Sequence, residues 1–531
     1  MVKFFNWLTY SSILMVYVMG ANLDVMEVDA AQYASISLEM LKSGEFLQVL
    51  DRGQDYLDKP PLLFWLSAVS FKFFGVGSWQ YKLPSILFSL LAIFSTFKLG
   101  KRLYNAKIGH HAAMILGGSL AMIMISNDIK TDTILVSSIV FSIWMLVSYL
   151  ESHHLKYILG AAIGISIAIL TKGPIGLMMP ALAIGGHLVL KKQWKPLLDW
   201  RWLLLIIGVG ALLLPMCLGL YQQYGAEGLK FFFWTQSFGR ITGESSWQNN
   251  TTPLYFFHVF LWSFLPWTLI AIGALFNEFK SVRKNLAKSN SEFYLISGIS
   301  LVWLALSFSK FKLPHYIFVV YPLIAILSAK YINNLISFSK WAWTQLTIAL
   351  MAGFFLIFAL IYCFADGGVL VPIIIFLAAV GATIVFFMFY RSTQVIYPTF
   401  IMSIAIGIGM NLHFYPQLLP FQANAQVGRW VEENDIPEGK FIDFSTGGRA
   451  LDFYAGGYIP WMQTAEETIE AIEPGTVVYA NRNRYNDLLS YGAIPKREIE
   501  FKNFEVQNLK ISFLNPKTRS ESLKKHYLLF Y

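Results

Sequence analysis

The sequence predicts a polytopic α-helical membrane protein with a small soluble domain near its C-terminal end. Of its 531 residues, 56% are hydrophobic and only 14% are charged, whereas a soluble domain carries about 25% charged residues. Apolar runs recur up to about residue 416, and many are long enough to approach or cross the roughly 30 Å hydrocarbon core of a bilayer. From about residue 421 the composition becomes that of a soluble protein.

About thirteen apolar runs are predicted to be membrane spans. They lie near residues 5–21, 83–100, 111–126, 133–150, 157–171, 174–190, 202–220, 254–276, 293–308, 314–329, 342–364, 370–390 and 396–416. Two further helices are expected at the membrane surface. Residues 30–41 have the apolar spacing of a surface helix, and residues 62–76 follow Pro60-Pro61 and contain Lys72.

The basic residues predict the orientation of the chain. An odd number of spans places its two ends on opposite sides of the membrane. With a cytoplasmic N-terminus, every second loop collects Lys and Arg, as in 98–107, 191–201 and 277–292. This topology explains the net charge of +9 and removes the case for nucleic acid as a partner. A cleaved signal peptide at residues 1–21 is disfavoured because no small-residue cleavage site follows.

Three regions are then expected outside the cytoplasm: a first outer loop at 22–82, a central outer loop at 221–253, and a C-terminal domain at 421–531 that follows a transmembrane domain at 1–420. A helix at 464–471 and a strand at 476–479 predict an α/β fold for the C-terminal domain. Its Gly447-Gly448-Arg449 turn could bind an anion, although a plain loop is favoured. Cys217 and Cys363 lie in distant apolar runs, which indicates small buried side chains rather than a disulfide or metal pair.

Basic residues on the predicted outer side are exceptions to the charge rule. They are Lys59, Lys130, Lys172, Arg240, Lys310 and Lys312. Each has an ordinary structural explanation, since Lys172 could complement a helix end and Lys312 could extend its ammonium to the membrane surface. Together, and alternating with acids, they favour a site for a phosphate or an anionic lipid head group.

Carboxylates occur in the same outer segments. Asp29 and Asp132 could each cap a helix, and Asp58 could form a surface ion pair with Lys59. If these acids converge on the lysines, they form an acid–base pair beside a phosphate site. Such a pair is what transfer from a phosphate leaving group requires, because a carboxylate activates the acceptor while cations hold the departing phosphate.

Several segments carry a family resemblance in their order and spacing. They are Asp29-Ala30-Ala31-Gln32-Tyr33-Ala34, Tyr56-Leu57-Asp58-Lys59-Pro60-Pro61, Thr131-Asp132, Leu170-Thr171-Lys172-Gly173-Pro174, Phe232-Phe233-Trp234 with Arg240, Phe264-Leu265-Pro266-Trp267, and Lys312-Leu313-Pro314-His315-Tyr316. Residues 1–420 resemble the membrane glycosyltransferases of the C-type superfamily that use polyprenyl-phosphate sugars. The nearest likeness is to the branch of the lipid A aminoarabinose transferases, which is related to the protein O-mannosyltransferases.

The resemblance implies an inverting glycosyltransferase in the bacterial inner membrane, with its C-terminal domain in the periplasm. It would move a sugar from undecaprenyl phosphate to a lipid A-like or a protein acceptor, and membrane lipids would surround it. By motif position Asp29 would be the catalytic carboxylate and Asp132 a second acid that supports it. The donor phosphate would be held by Lys59, Arg240, Tyr56 and Tyr316, with Lys172 and Lys312 in shared motifs. Asp58, Asp128 and His315 would be supporting or metal-binding residues.

Three departures from the family pattern bear on cofactor and acceptor. Gln32 stands where the family often has Arg, and residues 234–237 lack the His that can bind a metal with the acid of the second motif, here Asp58. A divalent metal ion therefore stays an open expectation, and no cofactor is certain. A basic face suited to lipid A is not evident, so the acceptor is open between lipid and protein.

Two other function classes were weighed against the transferase. A transporter or lipid flippase for an anionic substrate would place ionisable residues within its spans and would show repeated broken helices. The spans here are nearly free of charge and the charges collect at one face, which favours the enzyme. A non-catalytic binding protein would leave the clustered acids and lysines unexplained.

Overall fold

The fold is mainly helical, with strands confined to the first outer loop and the C-terminal region. The computed structural model describes residues 2–236, 239, 249, 251–285, 292–334, 340–389, 395–437, 439–445 and 447–531. The helices of the predicted transmembrane part are Val2–Ala21, Ser78–Leu103, Ala106–Gly117, Leu120–Asn127, Asp132–Ser152, Leu155–Lys172, Ile175–Leu190, Trp202–Lys230, Tyr255–Ser263, Thr268–Asn285, Tyr294–Ser307, Tyr321–Asn334, Lys340–Cys363, Leu370–Phe389 and Ile396–Gly409.

Every predicted span falls on one helix or on consecutive helical segments. Among the described residues, seven helical segments are long and apolar enough to cross a membrane, or eight if the pair Ala106–Gly117 and Leu120–Asn127, which is bent by 52°, forms one span. Shorter apolar helices include Ile175–Leu190 and Tyr294–Ser307. The membrane character is thus established, while the total of thirteen spans and the sidedness of the termini stay predictions.

Two predicted spans are interrupted for identifiable reasons. The run at 254–276 is divided at Leu265-Pro266, because proline lacks the amide hydrogen that a continuing helix needs. The run at 314–329 begins as a 3-10 helix, Pro314–Val320, before the α-helix Tyr321–Asn334. The second interruption matters for the site described below, because His315 and Tyr316 belong to this 3-10 turn.

The first outer loop contains the two expected surface helices, Asp29–Ser43 and Leu62–Phe74, and a short hairpin that was not predicted. Strand β1, Leu50–Asp51, pairs with β2, Gln54–Asp55. Arg52 and Gly53 both have positive φ angles, as a two-residue hairpin turn of type I′ requires. Their amides donate to the carboxylate of Glu39, at 2.8 and 2.7 Å, so the hairpin is attached to the helix Asp29–Ser43.

The helix Asp29–Ser43 is more buried than a surface helix. Even its serines Ser35 and Ser37, which lie on nearly opposite faces of the helix, are buried. The reason is that it packs between the helix Leu62–Phe74 and the helix Arg449–Tyr454 of the C-terminal region.

The C-terminal region is an α/β unit, as predicted. Strands β3 (Phe441–Phe444), β4 (Val477–Asn481), β5 (Arg497–Asn503) and β6 (Lys524–Phe530) form one sheet in the order β3-β4-β6-β5. β3 and β4 are parallel, and the other pairs are antiparallel. Its helices include Ala423–Glu433, Arg449–Tyr454, Ala465–Glu470 and Arg482–Ser490, with short turns at Ile511–Leu514 and Arg519–Ser522. The division of the chain at residue 420 stays a prediction.

Close packing between the helices Ser78–Leu103 and Ala106–Gly117 yields a stability prediction. A Cβ atom at Gly109 would lie 2.5 Å from the Phe97 carbonyl oxygen and 2.8 Å from the Lys101 nitrogen. We expect Gly109→Ala to force the helices apart and to lower the free energy of unfolding by about 1–3 kcal/mol, measured as a lower thermal midpoint in detergent. The matched control is Gly185→Ala, since no atom lies within 4 Å of its Cβ position. Equal midpoints for the two variants would contradict the packing argument.

Candidate active site

One cavity of about 270 Å³ gathers side chains from six separate parts of the chain, four of which contribute Asp or Lys residues. Its lining residues are Asp29, Tyr33, Asp58, Lys59, Pro60, Lys130, Thr131, Asp132, Lys172, Gln236, Phe311, Leu313, His315 and Tyr316. Seven of these were predicted as site residues: Asp29, Asp58, Lys59, Asp132, Lys172, His315 and Tyr316. Acids and bases that are distant in sequence therefore do converge.

Asp132 forms the buried centre of the site. It is the first residue of the helix Asp132–Ser152, and its side chain is 1% exposed. The Lys172 ammonium lies 2.6 Å from Oδ1, and His315 Nε2 lies 3.5 Å from Oδ2. Lys172 Nζ also lies 4.2 Å from the centre of the Tyr316 ring, in the range of a cation–π contact. The carboxylate thus ties together the ends of two helices and the 3-10 turn.

Asp29 is the accessible acid of the cavity. It begins the helix Asp29–Ser43, where Val28 rather than Asp29 is the N-cap residue, and its side chain is 43% exposed. The Lys130 ammonium lies 3.3 Å from Asp29 Oδ2 and 3.6 Å from Asp128 Oδ2. The acid is therefore oriented by a cation and still open to the cavity.

Lys130 was not among the predicted site residues, although its position on the outer side was noted. Burial alone would lower the pKa of its ammonium, but attraction to Asp128 and Asp29 outweighs burial and raises the pKa. Lys130 is therefore a fixed cation at neutral pH. The sequence signal was its position between two acids in the short segment 127–132, and only the geometry shows that it faces Asp29.

Asp58 and Lys59 lie together on another wall of the cavity. The Lys59 ammonium is ion-paired with the Asp58 carboxylate. The side-chain amide of Gln236 donates to the Asp58 carbonyl oxygen and, at 3.4 Å, to Asp58 Oδ1. Gln236 thus directs hydrogen-bond donors at the acid from the segment 234–237, which contains no histidine.

The residues predicted as possible metal ligands do not fit a divalent cation. Asp58 faces an ammonium and an amide, Asp128 faces Lys130, and His315 contacts Asp132 across the cavity. Within the described part of the chain, no three His, Cys, Asp or Glu side chains form a metal-binding group. Three lysines, Lys59, Lys130 and Lys172, also line the cavity, and their ammonium groups can bind an anion.

Three predicted residues, Tyr56, Lys312 and Asp128, do not line this cavity. Tyr56 lines a smaller neighbouring cavity, which shares Lys59 and Pro60 with the main one. Burial and then the nearby Asp58 raise the pKa of its phenol, so it remains a hydrogen-bond donor. The Lys312 ammonium donates to the Thr251 carbonyl oxygen at 3.2 Å. Asp128 accepts from Gln507 Nε2 at 3.4 Å, and Arg240 lies outside the described residues.

This fold, apolar helices followed by an α/β unit, is one that a solved structure shares. The crystal structure of ArnT from Cupriavidus metallidurans bound to undecaprenyl phosphate matches with a TM-score of 0.75, over 92% of this chain and 95% of that chain, at 19% identity. The fold is therefore the ArnT fold.

Sequence comparisons point the same way. The family model for dolichyl-phosphate-mannose-protein mannosyltransferases matches residues 58–219. An uncharacterised protein of Aquifex aeolicus is 29% identical over 367 residues, which are 66% of this chain and 69% of its own length. The undecaprenyl phosphate-alpha-4-amino-4-deoxy-L-arabinose arabinosyl transferase of Edwardsiella ictaluri is 26% identical over 344 residues. The aligned region is 63% of this chain and spans 61% of that transferase.

Taken together, these findings confirm the resemblance predicted from the motifs. The chain is similar to the aminoarabinose transferases and the protein mannosyltransferases in sequence, and to ArnT in fold.

The difference in burial between the two acids predicts that Asp132→Asn destabilises the protein much more than Asp29→Asn. Asp132→Asn would leave Lys172 without its buried counter-charge, which costs about 3–5 kcal/mol. Asp29→Asn removes a half-exposed carboxylate, so we expect a change within about 0.5 kcal/mol. The measurement is the thermal midpoint of each variant in the same detergent. A midpoint for Asp132→Asn equal to that of Asp29→Asn would rule out a structural role for the buried acid.

Proposed function

We propose that the protein is an inverting glycosyltransferase that moves one sugar from an undecaprenyl-phosphate carrier to a lipid or protein acceptor. The observation that carries this proposal is the single cavity in which an accessible carboxylate, Asp29, faces an open space bordered by Lys59, Lys130 and Lys172. Relatives named as undecaprenyl phosphate-dependent arabinosyl transferases support the choice of carrier.

Asp29 would activate the acceptor. In an inverting transfer, the acceptor oxygen attacks the anomeric carbon from the side opposite the carrier phosphate. The bond from that carbon to the phosphate oxygen breaks, the new glycosidic bond forms, and the acceptor proton passes to the Asp29 carboxylate. Lys130 holds Asp29 from the side, which fixes the direction of the carboxylate for proton transfer.

The lysines would stabilise the leaving phosphate. Lys59 lines both cavities, and the Lys172 ammonium lies between Asp132 and the Tyr316 ring. Cations that are already in place when negative charge develops on the leaving group lower the barrier without reorganisation. Tyr56 would add a hydrogen-bond donor, and Arg240 would add a cation. Lys312 would act through the segment that contains Thr251.

Asp132 would support the site rather than react. Its side chain is 1% exposed and its Oδ1 lies 2.6 Å from the Lys172 ammonium, so it holds that ammonium at the cavity wall. The reaction is placed on the periplasmic side of the inner membrane, with the N-terminus in the cytoplasm. The charge distribution of the loops supports this orientation.

A turnover assay tests the assignment. The protein would be reconstituted in lipid nanodiscs with a panel of undecaprenyl-phosphate sugars and an acceptor extract, and release of undecaprenyl phosphate would be followed. We expect Asp29→Asn to abolish release and Lys59→Ala to reduce the rate at least about tenfold, because each removes an interaction made in the transition state. Lys72→Ala is the control, since Lys72 is a lysine of the same loop that does not line the cavity. Near wild-type turnover in Lys59→Ala would refute the phosphate-binding assignment.

The contacts that Asp58 makes with Gln236 and Lys59 predict how the enzyme responds to chelators. Because Gln236 and Lys59 occupy the positions around Asp58, we expect a strong chelator to leave the turnover rate unchanged. Added Mg²⁺, Mn²⁺ or Zn²⁺ should not raise it. Loss of activity with the chelator, restored by one of these metals, would show that the side chains around Asp58 rearrange to bind a cation.

A further inference from the structure

The C-terminal α/β unit contacts the first outer loop at two places that flank the proposed catalytic groups. The residues that line the cavity all precede residue 317. Any influence of the C-terminal unit on the chemistry must therefore act through the residues that it holds.

The first contact is at Glu27, two residues before Asp29. The Glu27 carboxylate accepts hydrogen bonds from Asn424 Nδ2, at 2.8 and 3.0 Å, and from the Ala450 amide at 3.3 Å. The Glu27 amide in turn donates to Gln422 Oε1 at 2.8 Å. Both the side chain and the backbone of this residue are thus fixed by the C-terminal unit.

Gly448 shows how little space remains at this contact. A Cβ atom there would lie 1.9 Å from Asn424 Nδ2 and 2.8 Å from Glu27 Oε1. Its φ angle of −68° is open to any residue, so the requirement for glycine is steric. The segment 447–449, which could have bound an external anion, instead packs against a carboxylate of the same chain.

The second contact is at the hairpin that precedes Asp58 and Lys59. Arg52, in the hairpin turn, donates from Nε to Asp452 Oδ2 at 2.6 Å, with the two side chains 10% and 1% exposed. Beside it, Arg449 Nη2 lies 2.8 Å from Asp51 Oδ2. Opposite charges that are this buried fix the geometry strongly, because separating them leaves an uncompensated charge.

The two contacts are linked within the first outer loop. Asp51 also accepts from Gln32 Nε2 at 2.9 Å, and Gln32 is on the helix that Asp29 begins. The helix Arg449–Tyr454 therefore holds the hairpin and the Asp29 helix at once. Phe453 adds apolar packing, with its ring centre 6.0 Å from that of Phe71.

We propose that Asn424, Gly448, Arg449 and Asp452 are positioning residues of the transferase. The contacts at Glu27 set the place of Asp29, and the contacts at Arg52 and Asp51 set the place of Lys59. This inference rests on the proposed function, and it assigns the C-terminal unit a role in catalysis. Misplacement of a reacting group by about 1 Å can cost on the order of a hundredfold in rate.

The test separates the two contacts kinetically. We expect Gly448→Ala, which adds one methyl group and removes no charge, to lower kcat roughly tenfold or more with the donor KM unchanged, because Asp29 acts on the acceptor. We expect Asp452→Asn to raise the donor KM by roughly tenfold, because Lys59 binds the donor phosphate. Lys440→Gln is the control: it breaks an exposed ion pair with Glu473 within the same α/β unit and should change neither constant.

The folded fraction of each variant would be measured by gel filtration and circular dichroism. Wild-type constants in both variants would overturn the proposal, and so would an equal loss in both that matches the loss of folded protein. Hydrogen–deuterium exchange of amides 28–36 and 55–59 gives a readout that does not need turnover. Exchange of amides 28–36 should rise in Gly448→Ala, and exchange of amides 55–59 should rise in Asp452→Asn. Neither should rise in the control. Unchanged exchange would refute the positioning role, whereas a wild-type protein without turnover on any donor would refute the proposed function alone.

Discussion

The buried Asp132 carboxylate depends on two partners that come from distant parts of the chain. Removing a charge from water costs several kcal/mol, and only a close counter-charge with good geometry offsets that cost. Lys172 and His315 supply the contacts, at 2.6 and 3.5 Å. Burial of this charge therefore requires three parts of the chain to meet: the start of the helix Asp132–Ser152, the end of the helix Leu155–Lys172, and the 3-10 turn at 314–320. The cavity forms around that meeting point.

The same physical requirement extends outward from the cavity. Lys130 lies between Asp29 and Asp128, and Asp58 contacts Lys59. Farther out, Arg52 and Asp452 form the buried pair that joins the hairpin to the α/β unit. These acids are paired with bases, and Lys59, Lys130 and Lys172 also line the cavity in which a phosphate would bind. A polar site of this kind is stable in the protein and still complementary to an anionic substrate.

The membrane helices and the α/β character of the C-terminal region could be predicted from the sequence because hydropathy and periodicity are local signals. The helix Ala465–Glu470 is an example, since its Thr464 and Glu467 form a capping box that is visible in the sequence. The hairpin at residues 50–55 is too short for a periodic signal. The contacts of Glu27 with Asn424 and of Arg52 with Asp452 join residues about 400 positions apart, and no local pattern marks such pairs. The roles proposed for Asp29 and Asp132 came from family motifs. The contact between Lys130 and Asp29 could be seen only in the folded structure.

The most direct test of the account is a single-turnover reaction of the purified protein with its undecaprenyl-phosphate sugar. Release of undecaprenyl phosphate would be timed, and the anomeric configuration of the product would be read by nuclear magnetic resonance. We expect the release to require the Asp29 carboxylate. We also expect the product to have the inverted configuration. A product of retained configuration, or equal release from the Asp29→Asn variant, would contradict the account, because Asp29 would then not be the base that activates the acceptor.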